Sequence, residues 1–580
     1  SRLRKDDTME ESRAVQKYTA WINAKNVDPL IRRELLNIIS SPEDITERFS
    51  ENLAFGTAGL RAVMGAGTNR INIYTIASAA KGLAACLQAS DASEEGVIVC
   101  YDSRNHSKDF AEITARVLAC EGIKVYLSDQ LRPVPMLSFG IRHYRTAGGV
   151  MITASHNPRE YNGFKVYGND GGQLSPAGAN AVQDRMPEFE DVVDYLAEML
   201  PLEDYVQKEQ VTYLGKNWDD AYMEMLHGMK ISQKLSQDSK ARLRIVYSPL
   251  NGAGAKPVLR VLNENGFCRV FMVSEQEKPD GNFPTLRVPN PEREDSFALA
   301  KKYARAVAAD VIIATDPDSD RLGVAVLDDD GGYQMLSGNQ IGLLLMEYIL
   351  ATKSARGELS ENDYCITSVV SSNLARVIAK RYNVKLIETL TGSRHFAECI
   401  RNHEAEESGT FRFGFEEGNG FMFHSEVRDK DAVAACLAIA EMAAVSKSYG
   451  LRLMDQLKAI YRLYGYAAEK NVSIDCSGPE GAEQIRRCMD HYRLLNGKLG
   501  AMGKDLYYRD VKTFIDRMPE SNLLIYELND MDWIAIRPSG TEPKLKVYFG
   551  FYGEKTAAES RLNTVSKQLI QDIREILDRK

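Results

Sequence analysis

The chain has 580 residues, with 72 Lys+Arg against 81 Asp+Glu and a net charge of −9 at pH 7. At about 150 residues per domain this length implies roughly four domains rather than one. No run reaches the ~18 uninterrupted apolar residues of a membrane span, and an acidic balance without a basic run argues against a general nucleic-acid binder.

The nine cysteines are dispersed, odd in number and form no CxxC. They read as reduced thiols of a cytoplasmic protein, not as a disulfide framework or zinc site. Residues 1–9 hold no apolar segment of the signal-peptide kind.

The first fifty residues read as helical, with Ser41 capping a helix that starts at Pro42 and carries Asp44 in its first turn. A strand–helix–strand order follows at 97–101, 108–120 and 123–127. It returns at 243–247, 255–264 and 268–273, and again at 364–370, 373–381 and 384–388. Three βαβ-like units predict three related α/β domains, each with a mixed or parallel sheet, although their mutual identity is too low to establish duplication. Near the end, 533–537 and 545–549 flank a tight turn. Leu562, Val565, Leu569, Ile573, Ile576 and Leu577 then form one stripe of a final helix, predicting a smaller α+β fourth domain. No low-complexity linker is visible, so tight packing is expected, with domains at 1–212, 213–335, 336–455 and 456–580.

Four segments carry chemistry. In GGVMITASHNP (148–158) an apolar strand runs into a polar turn that Asn157-Pro158 keep out of helix. Ser155 thus sits at a strand end, where α/β proteins place ligands. It is either a nucleophile, with His156 beside it and Lys165 returning on the next strand as acid or base, or one tip of a capped, solvated turn.

In ATDPDSDR (314–321), Asp316, Asp318 and Asp320 alternate along an extended segment and face one side, which suits a hard cation with oxygen ligands. An EF-hand loop fails, because Arg321 and Leu327 stand where it needs Gly and Glu. A solvated acidic turn is the other reading, and burial between the apolar runs 311–314 and 322–327 favours the metal. No HxxxH or DxH spacing lies nearby, which argues against a metal-dependent phosphatase.

RFGFEEGNGF (412–421) places Glu416 and Glu417 on a Gly-rich loop able to accept hydrogen bonds from sugar hydroxyls, or forms a plain hairpin. IAIRPSGTEPK (534–544) describes an anion cradle. Gly540 lets backbone N–H groups approach, Ser539 and Thr541 donate, and Arg537 supplies a charged fork. It lacks the Walker pattern.

In this order the four segments resemble the α-D-phosphohexomutase superfamily, which combines T-x-S-H-N-P, D-x-D-x-D-R, paired-glutamate and R-x-S-G-T loops. FGTAGLR (55–61) and GTNRIN (67–72) are similar to its bacterial phosphoglucomutase branch, related to phosphopentomutases. The resemblance implies a heart-shaped α/β enzyme, three related mixed-sheet α/β domains plus a C-terminal α+β domain, with one loop from each in a central cleft. By that resemblance Ser155 carries a phosphoryl group and, with Asp316, Asp318 and Asp320, holds Mg²⁺. Lys165 and His156 match active-site positions, Lys165 as acid/base, and Arg61 and Arg321 lie near the transferring phosphate. Glu416, Glu417 and Arg394 match sugar-phosphate ligands, and Arg537, Ser539, Gly540 and Thr541 a clamp on the non-reacting phosphate.

The implied activity is an isomerase that interconverts glucose 1-phosphate and glucose 6-phosphate, with glucose 1,6-bisphosphate as intermediate and activator. The implied partner is a small sugar phosphate, with no nucleic acid or membrane, for a monomer or homodimer. Phosphomannomutase, phosphopentomutase, a sugar-bisphosphate synthase and a catalytically silent sugar-phosphate-binding protein are the alternatives.

A phosphoserine beside three aspartates totals roughly −5 against +2 from the metal, so nearby cations are expected. Lys165, with a reference pKa of about 10.4, is an acid at once and a base only if cations or burial lower it. Two positions depart from the branch. Gly418 stands where Ser commonly follows Glu-Glu, and Ser393-Arg394, then His395, replace a Phe-Lys pair. Arg394 keeps the cation but not the geometry of a lysine.

Overall fold

A computed structural model describes residues 3–56, 59–229, 231, 235–476, 478, 480–499, 507–511, 520–540 and 543–579. Four sheets follow one another along the chain. The first contains β1 (Leu60–Val63), β2 (Val97–Tyr101), β3 (Val125–Ser128), β4 (Gly148–Ile152), β5 (Tyr161–Gly168) and β6 (Val211–Leu214), in the order β1-β5-β4-β2-β3-β6. The second contains β7 (Ile245–Ser248), β8 (Val270–Met272), β9 (Val311–Thr315), β10 (Leu322–Leu327) and β11 (Tyr333–Leu336), ordered β11-β10-β9-β7-β8. The third contains β12 (Tyr364–Ser368), β13 (Lys385–Thr389), β14 (Phe411–Glu416) and β15 (Gly420–Met422), ordered β13-β12-β14-β15.

One topology repeats in these three. A central strand (β2, β7, β12) pairs in parallel with its successor and with a third strand (β4, β9, β14). That third strand then turns back into an antiparallel neighbour (β5, β10, β15). The crossovers are the predicted helices, now Ser107–Cys120, Ala255–Glu264 and Leu374–Arg381. Because helices cover these sheets, Val97–Tyr101, Val311–Thr315 and Tyr364–Ser368 are buried at every position and read as near-continuous apolar runs, ending in Thr315 and in Thr367-Ser368, instead of alternating ones.

The fourth sheet, β16 (Tyr466–Asp475), β17 (Tyr507–Asp510), β18 (Leu524–Glu527), β19 (Trp533–Pro538) and β20 (Lys544–Gly553), is wholly antiparallel. The Lys555–Leu577 helix packs on it through Val565, Leu569, Ile573 and Leu577. Leu562 and Ile576 lie partly buried on the rim of that contact.

One buried cluster draws on all four units, from Ile98 to Tyr552, beside separate cores in the first and fourth. At its centre the Ala432–Ser448 helix is buried on nearly all sides, against the Gln237–Arg242 and Ala255–Glu264 helices of the second unit. Its alanines allow that all-round approach. No single helix among the described residues is long and apolar enough to cross a membrane, and all nine cysteines are free. One detail is corrected: the helix Pro42–Phe49 starts after Ser41, but the Ser41 side chain makes no capping hydrogen bond. Pro42 at the first position, which has no N–H to satisfy, sets that start.

Candidate active site

Three candidate segments are hairpin turns, 153–160 between β4 and β5, 316–321 between β9 and β10, and 417–419 between β14 and β15, and the fourth lies between the antiparallel strands β19 and β20. Ser155 is buried, with φ of +52°. A non-glycine residue held in that region costs roughly 1–3 kcal/mol. Its hydroxyl donates to Asp316 Oδ2 at 2.8 Å and has His156 Nδ1 at 3.4 Å. Desolvation, then the cations Arg321, Arg61 and Lys546, push the His156 pKa well below its ordinary value, so the imidazole is neutral at pH 7.

Lys165, opposite Met151 in the β4–β5 register, reaches the aspartate turn. Its Nζ donates to Asp318 Oδ2 at 2.9 Å and lies 3.9 Å from Asp320 Oδ2. Arg61 donates to Asn157 Oδ1 at 3.1 Å.

Asp316, Asp318 and Asp320 converge, but not by alternation along an extended strand as the sequence predicts. β9 ends at Thr315, and the Ser319 N–H donates to the Asp316 carbonyl at 2.9 Å, closing a β-turn with Pro317 at its second position. Proline's fixed φ favours that turn over extension. The turn is held from outside by Val134 N–H on the Asp318 carbonyl (2.9 Å) and Ala432 N–H on the Ser319 carbonyl (3.2 Å). Asp316 Oδ1 accepts the N–H groups of Asp320 and Arg321 at 3.1 and 3.0 Å.

Burial, then Asp318 and Asp320, push the Asp316 pKa well up. Burial alone would raise Asp318 too, but the Lys165 ammonium holds it below the ordinary range. One oxygen from each carboxylate lies within 4.8 Å of the others, and the buried Asp318 Oδ1 and Asp320 Oδ1 accept no hydrogen bond. Two orphaned oxygens in an all-carboxylate set fit a hard divalent cation such as Mg²⁺.

Three residues here were missed in the sequence. Lys430 Nζ lies 3.2 Å from Asp320 Oδ2 and 3.8 Å from Asp429 Oδ1. It belongs to the buried run Arg428-Asp429-Lys430-Asp431, a pattern that ordinarily reads as a solvated charged stretch. Its signal was position, between a sheet hairpin and an alanine-rich helix. Glu292 accepts from Arg321 Nη1 at 2.6 Å, and the same nitrogen donates to the Gly418 carbonyl at 2.8 Å. A Cβ at Gly418 would stand 3.0 Å from that nitrogen, a physical reason for glycine at this departure from the branch. Ser368, at the end of β12, donates to Glu417 Oε2 at 2.7 Å.

Burial, then Glu416, raise the Glu417 pKa. Glu416 Oε1 accepts the Gly392 N–H, tying the 391–395 segment to the same loop. Arg394 Nε donates to His395 Nε2 at 3.3 Å, and burial, then Arg394, lower His395 to about 4. Arg537 Nε donates to the Tyr548 hydroxyl at 3.1 Å. Ser539 N–H closes its hairpin on the Lys544 carbonyl at 2.8 Å. The Gly540 carbonyl approaches the first unit, 3.7 Å from where a Gly56 Cβ would stand. Thr541 lies outside the described residues, as do Thr57 and Ala58.

Residues 52–191, 220–331 and 337–464 match domains I, II and III of the phosphoglucomutase/phosphomannomutase family, each described as alpha/beta/alpha. The phosphoglucomutase of Staphylococcus aureus strain N315 is 37% identical over 544 residues, and that of strain MRSA252 is 37% identical over 546. Each match covers 91% of this chain and 94% of the relative.

Among solved structures, a phosphoglucomutase/phosphomannomutase family protein of Burkholderia thailandensis superposes with a TM-score of 0.64 at 19% identity, covering 90% of this chain and 97% of its own. The open form of Paramecium parafusin, a phosphoglucomutase, gives 0.65 at 15% identity, covering 91% and 96%. Both share the fold. The chain belongs to the phosphoglucomutase/phosphomannomutase family of the α-D-phosphohexomutase superfamily, whose members are isomerases.

Proposed function

We propose that the chain is a phosphoglucomutase, interconverting glucose 1-phosphate and glucose 6-phosphate with glucose 1,6-bisphosphate as intermediate and activator. The observation that carries this reading is the Ser155 hydroxyl donating at 2.8 Å to Asp316 of the buried aspartate turn. In the first half-reaction the free hydroxyl of the hexose phosphate attacks the phosphorus on Ser155 Oγ, and the bond to Oγ breaks. The bisphosphate then reorients and returns its other phosphoryl group to Ser155.

Asp316, Asp318 and Asp320 would hold Mg²⁺ together with a phosphoryl oxygen, and the ion when bound neutralises charge on the transferring group. Lys165 carries the proton as acid/base, and neutral His156 is a second acceptor beside Oγ. Arg61 and Arg321 offset the phosphate charge. Glu416, Glu417 and Arg394 take the sugar phosphate, and Arg537, Ser539, Gly540 and Thr541 the phosphate that does not react. Burial of Ser155 limits water, which would otherwise make the site a phosphatase.

The four sheets support a division into four domains; a cytoplasmic location and a monomeric or homodimeric state belong to the same proposal. The last junction fits Gly465, after the Leu453–Tyr464 helix, better than 455.

The test supplies glucose 1-phosphate with a trace of the bisphosphate and follows glucose 6-phosphate, alongside intact-mass analysis of the enzyme. Conversion, with one phosphoryl group added to wild type and none to Ser155→Ala, is expected. Neither conversion nor labelling overturns the reading, and conversion that consumes bisphosphate stoichiometrically favours a synthase. A panel of glucose, mannose and pentose 1-phosphates ranked by kcat/KM assigns the sugar.

A further inference from the structure

The Ser155 backbone sits in a left-handed conformation that a serine does not choose by itself, so something must hold it. The peptide groups on both sides of its Cα lead to one buried ion pair. On one side the Ser155 N–H donates to Thr153 Oγ1 at 2.8 Å, and the Thr153 hydroxyl donates to Asp102 Oδ2 at 2.6 Å. On the other side the Ser155 carbonyl accepts from Arg104 Nη2. Asp102 and Arg104 follow β2 and pair with each other at 3.5 Å, their side chains fully enclosed.

The rest of the guanidinium fork is spent on the same loop. Nη2 also donates to the Asn157 carbonyl, and Nη1 donates to those of Pro158 (2.9 Å) and Tyr161 (3.1 Å). Asp102 in turn accepts the Arg104 N–H at 2.9 Å and the Ser107 hydroxyl at 2.8 Å. Four carbonyls of one tight loop point inward, where each needs a donor. A planar five-donor fork satisfies them in one fixed geometry, and a lysine ammonium cannot.

We propose that Asp102 and Arg104 are positioning residues that fix both peptide groups around Ser155 and so aim its hydroxyl at Asp316. Both Nη groups are committed to loop carbonyls, so Arg104 acts through the backbone and not on substrate phosphate, unlike the roles given above to Arg61 and Arg321. The proposal rests on the phosphoglucomutase reading of the site.

The test measures steady-state kinetics of wild type, Arg104→Lys, Asp102→Asn and the double variant on glucose 1-phosphate with saturating bisphosphate. A displacement of the order of 1 Å at the nucleophile costs about 100-fold. The expected result is therefore kcat down ~100-fold in each single variant, KM within about threefold, and a double variant no worse than the poorer single, as for residues acting as one unit. Three results overturn it: kcat within about threefold of wild type, KM raised with kcat intact, or losses that multiply. Should Arg104→Lys not fold, Thr153→Val cuts the N–H anchor together with a 3.2 Å contact to Asp318 Oδ2, and is read at saturating Mg²⁺ so that the anchor alone bears on kcat. A kcat fall of ~10-fold then supports the proposal, and an unchanged kcat overturns it. An inactive wild type fails the functional reading, whereas an active wild type with indifferent variants fails only this proposal.

Discussion

The aspartate turn and the proposed sugar-binding loops are built differently. The turn is wholly buried, closed by Pro317, and fixed through its backbone by the starts of the Val134–Tyr144 and Ala432–Ser448 helices, elements of two other units. On the sugar side, Glu417 rests on Ser368, Arg394 on His395 and Arg537 on Tyr548 through side-chain hydrogen bonds. Where phosphoryl transfer is read, geometry is over-determined. Where recognition is read, each group leans on a short side-chain relay, which is where sequence can vary without unmaking the chemistry.

That contrast predicts a graded response. Ser155→Ala should lower kcat by roughly 10⁴ or more, and a residual rate within tenfold of wild type would remove the nucleophile from this account. Asp318→Asn should cost about 10³ in kcat, the scale of losing a main electrostatic element. Chelation should abolish activity and Mg²⁺ restore it; activity indifferent to chelators would break the turn's assignment as a metal site.

On the other side, Arg537→Ala should raise KM about 30-fold with kcat within about threefold, since it removes binding common to ground and transition states. A pure kcat loss would erase the distinction between the two regions.

His395 offers a readout on stability. Its folded value of about 4 lies below the ~6.5 of an unfolded chain. The unfolded state therefore binds the proton first. The stability due to the neutral imidazole is complete above about pH 6.5 and is lost as pH falls from there towards 4, by on the order of 3 kcal/mol. Denaturation midpoints of wild type and His395→Gln should converge as pH drops through that window; parallel curves would contradict the burial of His395. Smallest of all, Ser368→Ala should cost about fivefold in kcat/KM by freeing Glu417, the scale of one ordinary net hydrogen bond. An equal loss for a sugar lacking the hydroxyls that Glu417 recognises would show that Ser368 acts elsewhere.

Much of this site was legible in local sequence. The three strand–helix–strand units lie within a few residues of their predicted positions, because parallel strands buried on both faces must be apolar throughout. Ser155 and the three aspartates stand out because each lies in a short polar break between apolar strands, and Arg537 because it stands at the end of one.

The geometry of the aspartate turn was misread, since an alternating pattern looks the same in a strand and in a turn until Pro317 is weighed. Asp102, Arg104 and Lys430 were missed for another reason. A charged residue in sequence carries the expectation of solvent, and each of these three is buried against at least one partner 51 or more residues away, as with Asp102 and Thr153, Arg104 and the 155–161 carbonyls, or Lys430 and Asp320.

The sequence by itself determined the class of fold, the order of the four loops and the residue types each brings, because periodicity and turn chemistry are local. Tertiary structure alone decided that three of the loops are equivalent hairpins of one repeated sheet topology, that Lys165 and Lys430 share one aspartate cluster, and that Arg104 donates to the carbonyls of the Ser155 loop. Those facts depend on which buried charge finds which partner, and burial is a property of the folded whole.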